Sequence, residues 1–300
     1  MSRPVAVHPI HRGFVSILAV GLLLTACASG SGTGTAKPTV KGTGACTNPK
    51  PFDPANFVDP TLDTNRYHPL KPGLQWVRGG TTEVGKRKVP HQIVSTMTDV
   101  VREIDGVPTL ALLEEDTDAG EVSQLALDYL ALDRDGNVWI LGGYTEEFEG
   151  GEYTNTEDHW LGTADGTQIG ILAPTEVTRS TPTWCIGSAP GDAPTVGSPK
   201  RIGIRECVKF GCYDDVRVVE EGAFNAPDNE DKYYAPGVGV IRNVALDASL
   251  HQDTFELLNF IELTPEGLAD ASQATLDLEA HARTTSPEVY GSSPESKRAQ

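Results

Sequence analysis

The sequence predicts an all-β fold, a curved antiparallel sheet or half-open barrel built as a meander, with one C-terminal helix. Three observations predict it. From Leu74 onward, short runs of β-forming residues alternate with glycine-containing turns. Asp-Gly pairs stand between such runs at 105–106, 135–136 and 165–166, and both residues of this pair tolerate the positive φ of a tight hairpin. Within the runs the apolar residues alternate: Leu125, Leu127, Tyr129 and Ala131 share one face, and so do Val138, Ile140 and Tyr144.

The chain opens on an export signal, residues 1–26. Arg3 and Arg12, with no acid, precede the apolar run Phe14 to Leu24, which only Ser16 interrupts. That run is shorter than the ~20 apolar residues a bilayer span needs. Its end, Leu24-Thr25-Ala26-Cys27, resembles the lipobox of bacterial lipoproteins. The resemblance implies a diacylglycerol on the sulfur of Cys27 and cleavage just before it. The implied partner is the membrane, reached through the lipid at the extracytoplasmic face. One acyl chain holds a protein marginally, whereas two or more anchor it stably. Residues 27–45 are rich in Gly, Ser and Thr with almost nothing apolar, too polar to bury and order themselves, and read as a flexible tether.

The signal holds two of the 24 basic residues and none of the 42 acidic ones, leaving 22 against 42 in the mature chain, a net charge of −20. Nucleic acid and anionic headgroups repel such a chain, so no nucleic-acid partner is expected. Four cysteines remain: Cys46, Cys185, Cys207 and Cys212. An even number in an exported chain reads as two disulfides, with three connectivities open. Cys207 and Cys212 flank "VKFG", a short loop, which favours 207–212 together with 46–185. A metal site would want closer spacing than His68, His91, His159, His251 and His281 offer, so no metal is expected.

The β domain is placed at 46–263. "LQWVRG" is followed by "TTEVGK"; "HQIVSTMTDVVREI" turns at Asp105-Gly106 into "VPTLALLEE"; "SQLALDYLAL" turns through "DRDGN" into "VWILGGYTEEF"; "EGGE" leads to "YTNTEDHW". Residues 173–200, rich in Pro, Gly, Ser and Thr, read as a long insert loop pinned by Cys185. Strands resume with "RIGIREC", "CYDDVRVVEE", "KYY", "VGVIRNVAL" and "DTFELLNFIEL". Thr264 as N-cap with Pro265 at the first helical position opens a helix over 264–283. Leu268, Ala271, Thr275 and Leu278 form its apolar stripe, and it is expected to plug or cover an end of the sheet. Residues 284–300 read as a disordered tail.

Little in the chain points to chemistry. There is no G-x-S-x-G elbow and no S-x-x-K. The acidic runs at 114–116, 146–147, 214–215 and 220–221 read as solvated faces, so no catalytic residue, cofactor or enzymatic activity is assigned. "LDRDGNVW" invites a calcium reading, but neither register supplies the ligands of an EF-hand loop, and a hairpin turn explains it. In "KYYAPGVGV", Pro236-Gly237 suits a type II turn and Gly239 a close approach of a neighbouring strand. No helix follows, so this is no phosphate loop. Tyr233 and Tyr234 point to opposite faces, so one at most faces a pocket. With Trp76 and Trp139 they are the candidates to line a concave pocket, although core packing is the plainer role for strand aromatics.

Four segments occur in order: "HPLKPGLQWVRG" (68–79), "LDRDGNVWILGG" (132–143), "FGCYDDVRVVEE" (210–221) and "KYYAPGVGVIRN" (232–243). They resemble a family of uncharacterised secreted bacterial proteins. The resemblance implies a β fold and no mechanism. The expected function is a surface-tethered binding or carrier lipoprotein for an apolar or amphipathic ligand, such as a lipid or glycolipid. The alternative is a structural or protein-interaction module of the envelope, and a hydrolase stands third. A large apolar cavity would favour the carrier, and a filled core the interaction module.

Overall fold

The computed structural model describes residues 46, 48–84, 87–163, 166–189, 193–223, 229–246, 254–291 and 293–299. The signal, Cys27, the tether and Asp165 of the third Asp-Gly pair lie outside them. The described strands are β1 (Phe57–Val58), β2 (Leu74–Val84), β3 (Arg87–Ile104), β4 (Val107–Asp118), β5 (Glu121–Asp133), β6 (Val138–Glu149), β7 (Glu152–Leu161) and β8 (Gln168–Ala173). They continue with β9 (Trp184–Ser188), β10 (Thr195–Val208), β11 (Gly211–Ala223), β12 (Glu230–Ala235), β13 (Gly239–Ala245), β14 (Thr254–Glu262) and β15 (Lys297–Arg298). Two helices, α1 (Pro265–Thr285) and α2 (Pro287–Tyr290), lie between the last two strands.

The sheet closes. Strand β2 pairs with both β3 and β14, and β6 with both β5 and β8, so β2 to β6 and β8 to β14 form one antiparallel ring of 12 strands. The expected curved sheet is therefore a complete barrel, with no gap between the first and last strands. Strands β1, β7 and β15 attach beside the ring, to β5, β6 and β3. Closure removes the unpaired edges that an open sheet of this size would present.

Turn chemistry sets the register. Asp105 and Gly106 both take positive φ, 50° and 76°, as the Asp-Gly signal requires. The β4–β5 hairpin turns through Ala119 and Gly120 with the same signs, a turn that no Asp-Gly or Asn-Gly pair announces. Gly79 and Gly80, read as a break between two runs, lie inside the single strand β2. A Cβ at Gly80 would overlap the carbonyl oxygen of Thr254, so glycine here lets β14 close against β2. In "DRDGN", Asp133 Oδ1 accepts from the amides of Asp135 and Asn137, and Oδ2 from the side chains of Asn137 and Trp139, all within 3.0 Å. That carboxylate is fully engaged in shaping its own turn.

Two further expectations change. The 173–200 insert is not one loop: it contains β9 and the start of β10, both in the ring. The 284–300 tail is ordered over most of its length, because Tyr290 is completely buried and β15 pairs with β3. Helix α1 starts as expected, the Thr264 hydroxyl accepting from the Gly267 amide at 3.2 Å. It does not plug or cover an end. On β4 the cavity-lining residues Leu112 and Glu114 point inward, so Ala111 and its partner Tyr129 point outward. Tyr129 bonds Glu279 of α1, which places the helix on the outer wall.

Candidate functional site

A barrel of eight strands is just wide enough for side chains to fill, and width grows with strand number. Twelve strands leave an interior that small aliphatic residues cannot fill, and here large polar side chains occupy it. From β2 come Trp76 and Arg78, from β4 Glu114, from β12 Lys232 and Tyr234, and from β13 Asn243. Each alternates along its strand with an outward neighbour. Glu114 and Asp116 point in while Glu115 is exposed, and Glu221 is buried, so the acidic runs are not simply solvated faces.

These groups form a network. Arg78 donates from Nε to the Val240 carbonyl at 3.0 Å and from Nη1 to the Ser95 hydroxyl at 2.8 Å. Ser95 in turn donates to Glu114. Lys232 Nζ lies 3.1 Å from Glu221, which also accepts from the Tyr234 hydroxyl. Burial works against a charge on Lys232, but Glu221, Glu230 and Glu114 outweigh it and hold its pKa above the ordinary lysine value. Burial, then Glu221, pushes Tyr234 well above the ordinary phenol range. Burial and the charges of Arg78 and Lys232 push His68 down to about 3, so its imidazole is neutral.

Among these side chains lies a cavity of about 60 Å³, beneath the His68–Pro69 segment and walled on its apolar side by Trp76, Met97, Leu112 and Phe255. Of the four aromatic candidates, Trp76 and Tyr234 line it. Trp76 donates to the Val238 carbonyl at 2.5 Å, at the turn of "YAPGVGV". The other two do not. Tyr233 faces outward between Arg201 and Arg242. Trp139 packs against Phe52 and Phe57 on the outer side, where it borders a surface cleft of about 250 Å³ with Asp53 and Asp135. Gly237 takes φ 76° and the Val238 amide bonds the Ala235 carbonyl, as a type II turn requires. Gly239 serves its positive φ of 92°; a Cβ there would meet nothing nearer than 3.6 Å, so the expected close approach is absent.

Sequence reasoning missed Arg78, Glu114, Lys232, Asn243 and His68. The alternation in "LALLEEDTD" placed Glu114 with Leu110 and Leu112, and was the available signal. It also missed Asp128, whose carboxyl is pushed well above the usual range by burial first, then by Glu114 and Asp158. Asp128 pairs with Leu112 across β4 and β5, on the inward face that also carries Glu114, and does not line the cavity.

Both disulfides are present, Cys46–Cys185 and Cys207–Cys212. The second joins directly opposed residues of the β10–β11 hairpin. Its tip reaches back over β12 and β13, where the Phe210 amide bonds the Leu257 carbonyl at 3.2 Å and Arg242 holds Glu206 at 2.6 Å.

No family model matches the chain, so the motif resemblance has none behind it. No curated protein matches either. A crystal structure of "a putative lipoprotein" from Parabacteroides distasonis aligns over 66% of this chain and 100% of its own, at 10% identity and a TM-score of 0.32, too low to bear on function.

Proposed function

We propose that the chain is a lipid-anchored extracytoplasmic protein that holds a rigid closed barrel at the membrane surface and works as an interaction module, not as a carrier of lipid or glycolipid. The filled interior carries this reading. A cavity of about 60 Å³ is far below the roughly 300–1,000 Å³ of typical ligand pockets. An acyl chain in it would also lie against Arg78, Glu114 and Lys232, whose desolvation it could not repay. The two disulfides support export, since such bonds persist in oxidising compartments. The sequence around Cys27 supplies the anchor, and the membrane contact is the protein's own covalent lipid. The reading includes no catalysis.

Native mass spectrometry tests it on full-length protein extracted from its host's membranes in nonionic detergent. The expected mass is the chain from Cys27 plus covalent acyl groups, with no other lipid. A stoichiometric non-covalent lipid would restore the carrier, and an unmodified Cys27 would remove the anchor.

A further inference from the structure

We propose that the barrel cavity is a binding site for a small zwitterion, an α-amino acid about the size of alanine. This goes beyond the anchored-module reading and stands or falls without it. The argument rests on polar groups of cavity-lining residues that are unused among the described residues. Asn243 is 1% exposed; its Nδ2 donates to Glu230 at 2.6 Å, which turns Oδ1 away as an acceptor with no donor. Leaving such an atom unpaired in the interior costs about 1–3 kcal/mol. Glu114 uses Oε2 for Ser95 and has Oε1 left over. Arg78 uses Nε and Nη1 and has Nη2 left over. His68 Nε2 is buried without a partner.

The residues lining the cavity therefore carry two free acceptors, one free charged donor and one imidazole nitrogen that serves either way. An anion alone would leave Asn243 Oδ1 and Glu114 Oε1 facing more acceptors. A cation alone would leave the Arg78 donor unmet. An ammonium, with three donors and no acceptor, suits Asn243 and Glu114, and a carboxylate suits Arg78 and His68. Trp76, Met97 and Leu112 provide the apolar wall for a short side chain. Size agrees: at roughly 10–15 Å³ per water-sized position, a cavity of about 60 Å³ has room for four to six. Alanine has six non-hydrogen atoms.

Isothermal titration calorimetry on the detergent-extracted full-length protein tests this with L-alanine, acetate and ethylammonium as separate probes. L-alanine should bind, and each fragment should bind at least tenfold more weakly. Glu114→Gln keeps the shape and the Ser95 contact, and should weaken alanine at least tenfold. No heat with alanine at millimolar concentration would overturn the proposal. So would acetate or ethylammonium binding as tightly as alanine, or an unchanged affinity in folded Glu114→Gln. Should that variant fail to fold, the fragment comparison on the unaltered protein decides.

Discussion

The titration of single interior side chains reports their surroundings. His68 titrates near 3 in the folded protein, against about 6.5 in an unfolded chain. The unfolded state thus takes up the proton first as pH falls. The stability from a neutral His68 is complete above about pH 6.5 and is lost as pH drops towards 3. Between pH 7.5 and 5.5 this loss should be about 1 kcal/mol. Urea midpoints measured across that range should fall less in His68→Gln than in the parent. Asp128 has the opposite sign: its folded pKa is raised, so its contribution is present at low pH and lost as pH rises through that value. Asp128→Asn should accordingly raise Tm at pH 7 and do little at pH 4. On the outer wall, Arg102 is 1% exposed and sits 2.6 Å from Glu279, which also takes the Tyr129 hydroxyl and the Ser296 amide. Truncating Glu279 to Ala strands a buried guanidinium and should cost about 3 kcal/mol in urea unfolding. Replacing both partners with apolar residues of similar volume should cost much less.

Secondary elements divide into those announced locally and those ordered from a distance. The β3–β4 hairpin follows from Asp105-Gly106 alone, and α1 from Thr264-Pro265. The β4–β5 turn does not, because Ala119 adopts φ 54° only where the paired strands impose it. The C-terminal segment goes further. After α1 its sequence is polar and proline-containing, yet Tyr290 inserts against Tyr144 and bonds the Gly143 carbonyl at 2.8 Å. Arg298 grips Asp99 with two nitrogens. Tyr290→Ala should cost about 3 kcal/mol and release the segment to added protease. The disulfides brace unequal lengths of chain. Cys46–Cys185 spans 139 residues and Cys207–Cys212 spans 5. On chain-entropy grounds their loss should cost about 5 and about 2 kcal/mol. Thermal unfolding of the paired Cys→Ser variants should show the larger drop for 46–185.

At the scale of the molecule, closure is the decisive event. It depends on the β14–β2 contact that Gly80 permits, so Gly80→Val should open that seam and abolish cooperative unfolding. Attachment should be separable from it: labelled palmitate should enter the parent protein and not Cys27→Ser, while the barrel remains folded in both. Much of the strand order was legible because period-two alternation and turn residues act over a few neighbours. Trp76 and Tyr234 were legible as pocket candidates, but their partners Trp139 and Tyr233 were not distinguishable from them, since alternation names two faces without saying which is inside. The sequence by itself determined an acidic chain, antiparallel β hairpins and a capped C-terminal helix, because composition, alternation and turn or cap residues act locally. The tertiary structure alone decided that the sheet closes, that the helix and tail bind its outer wall, and that charged residues from five strands meet in the interior. Those outcomes rest on contacts between residues far apart in the chain, where local propensity has no influence.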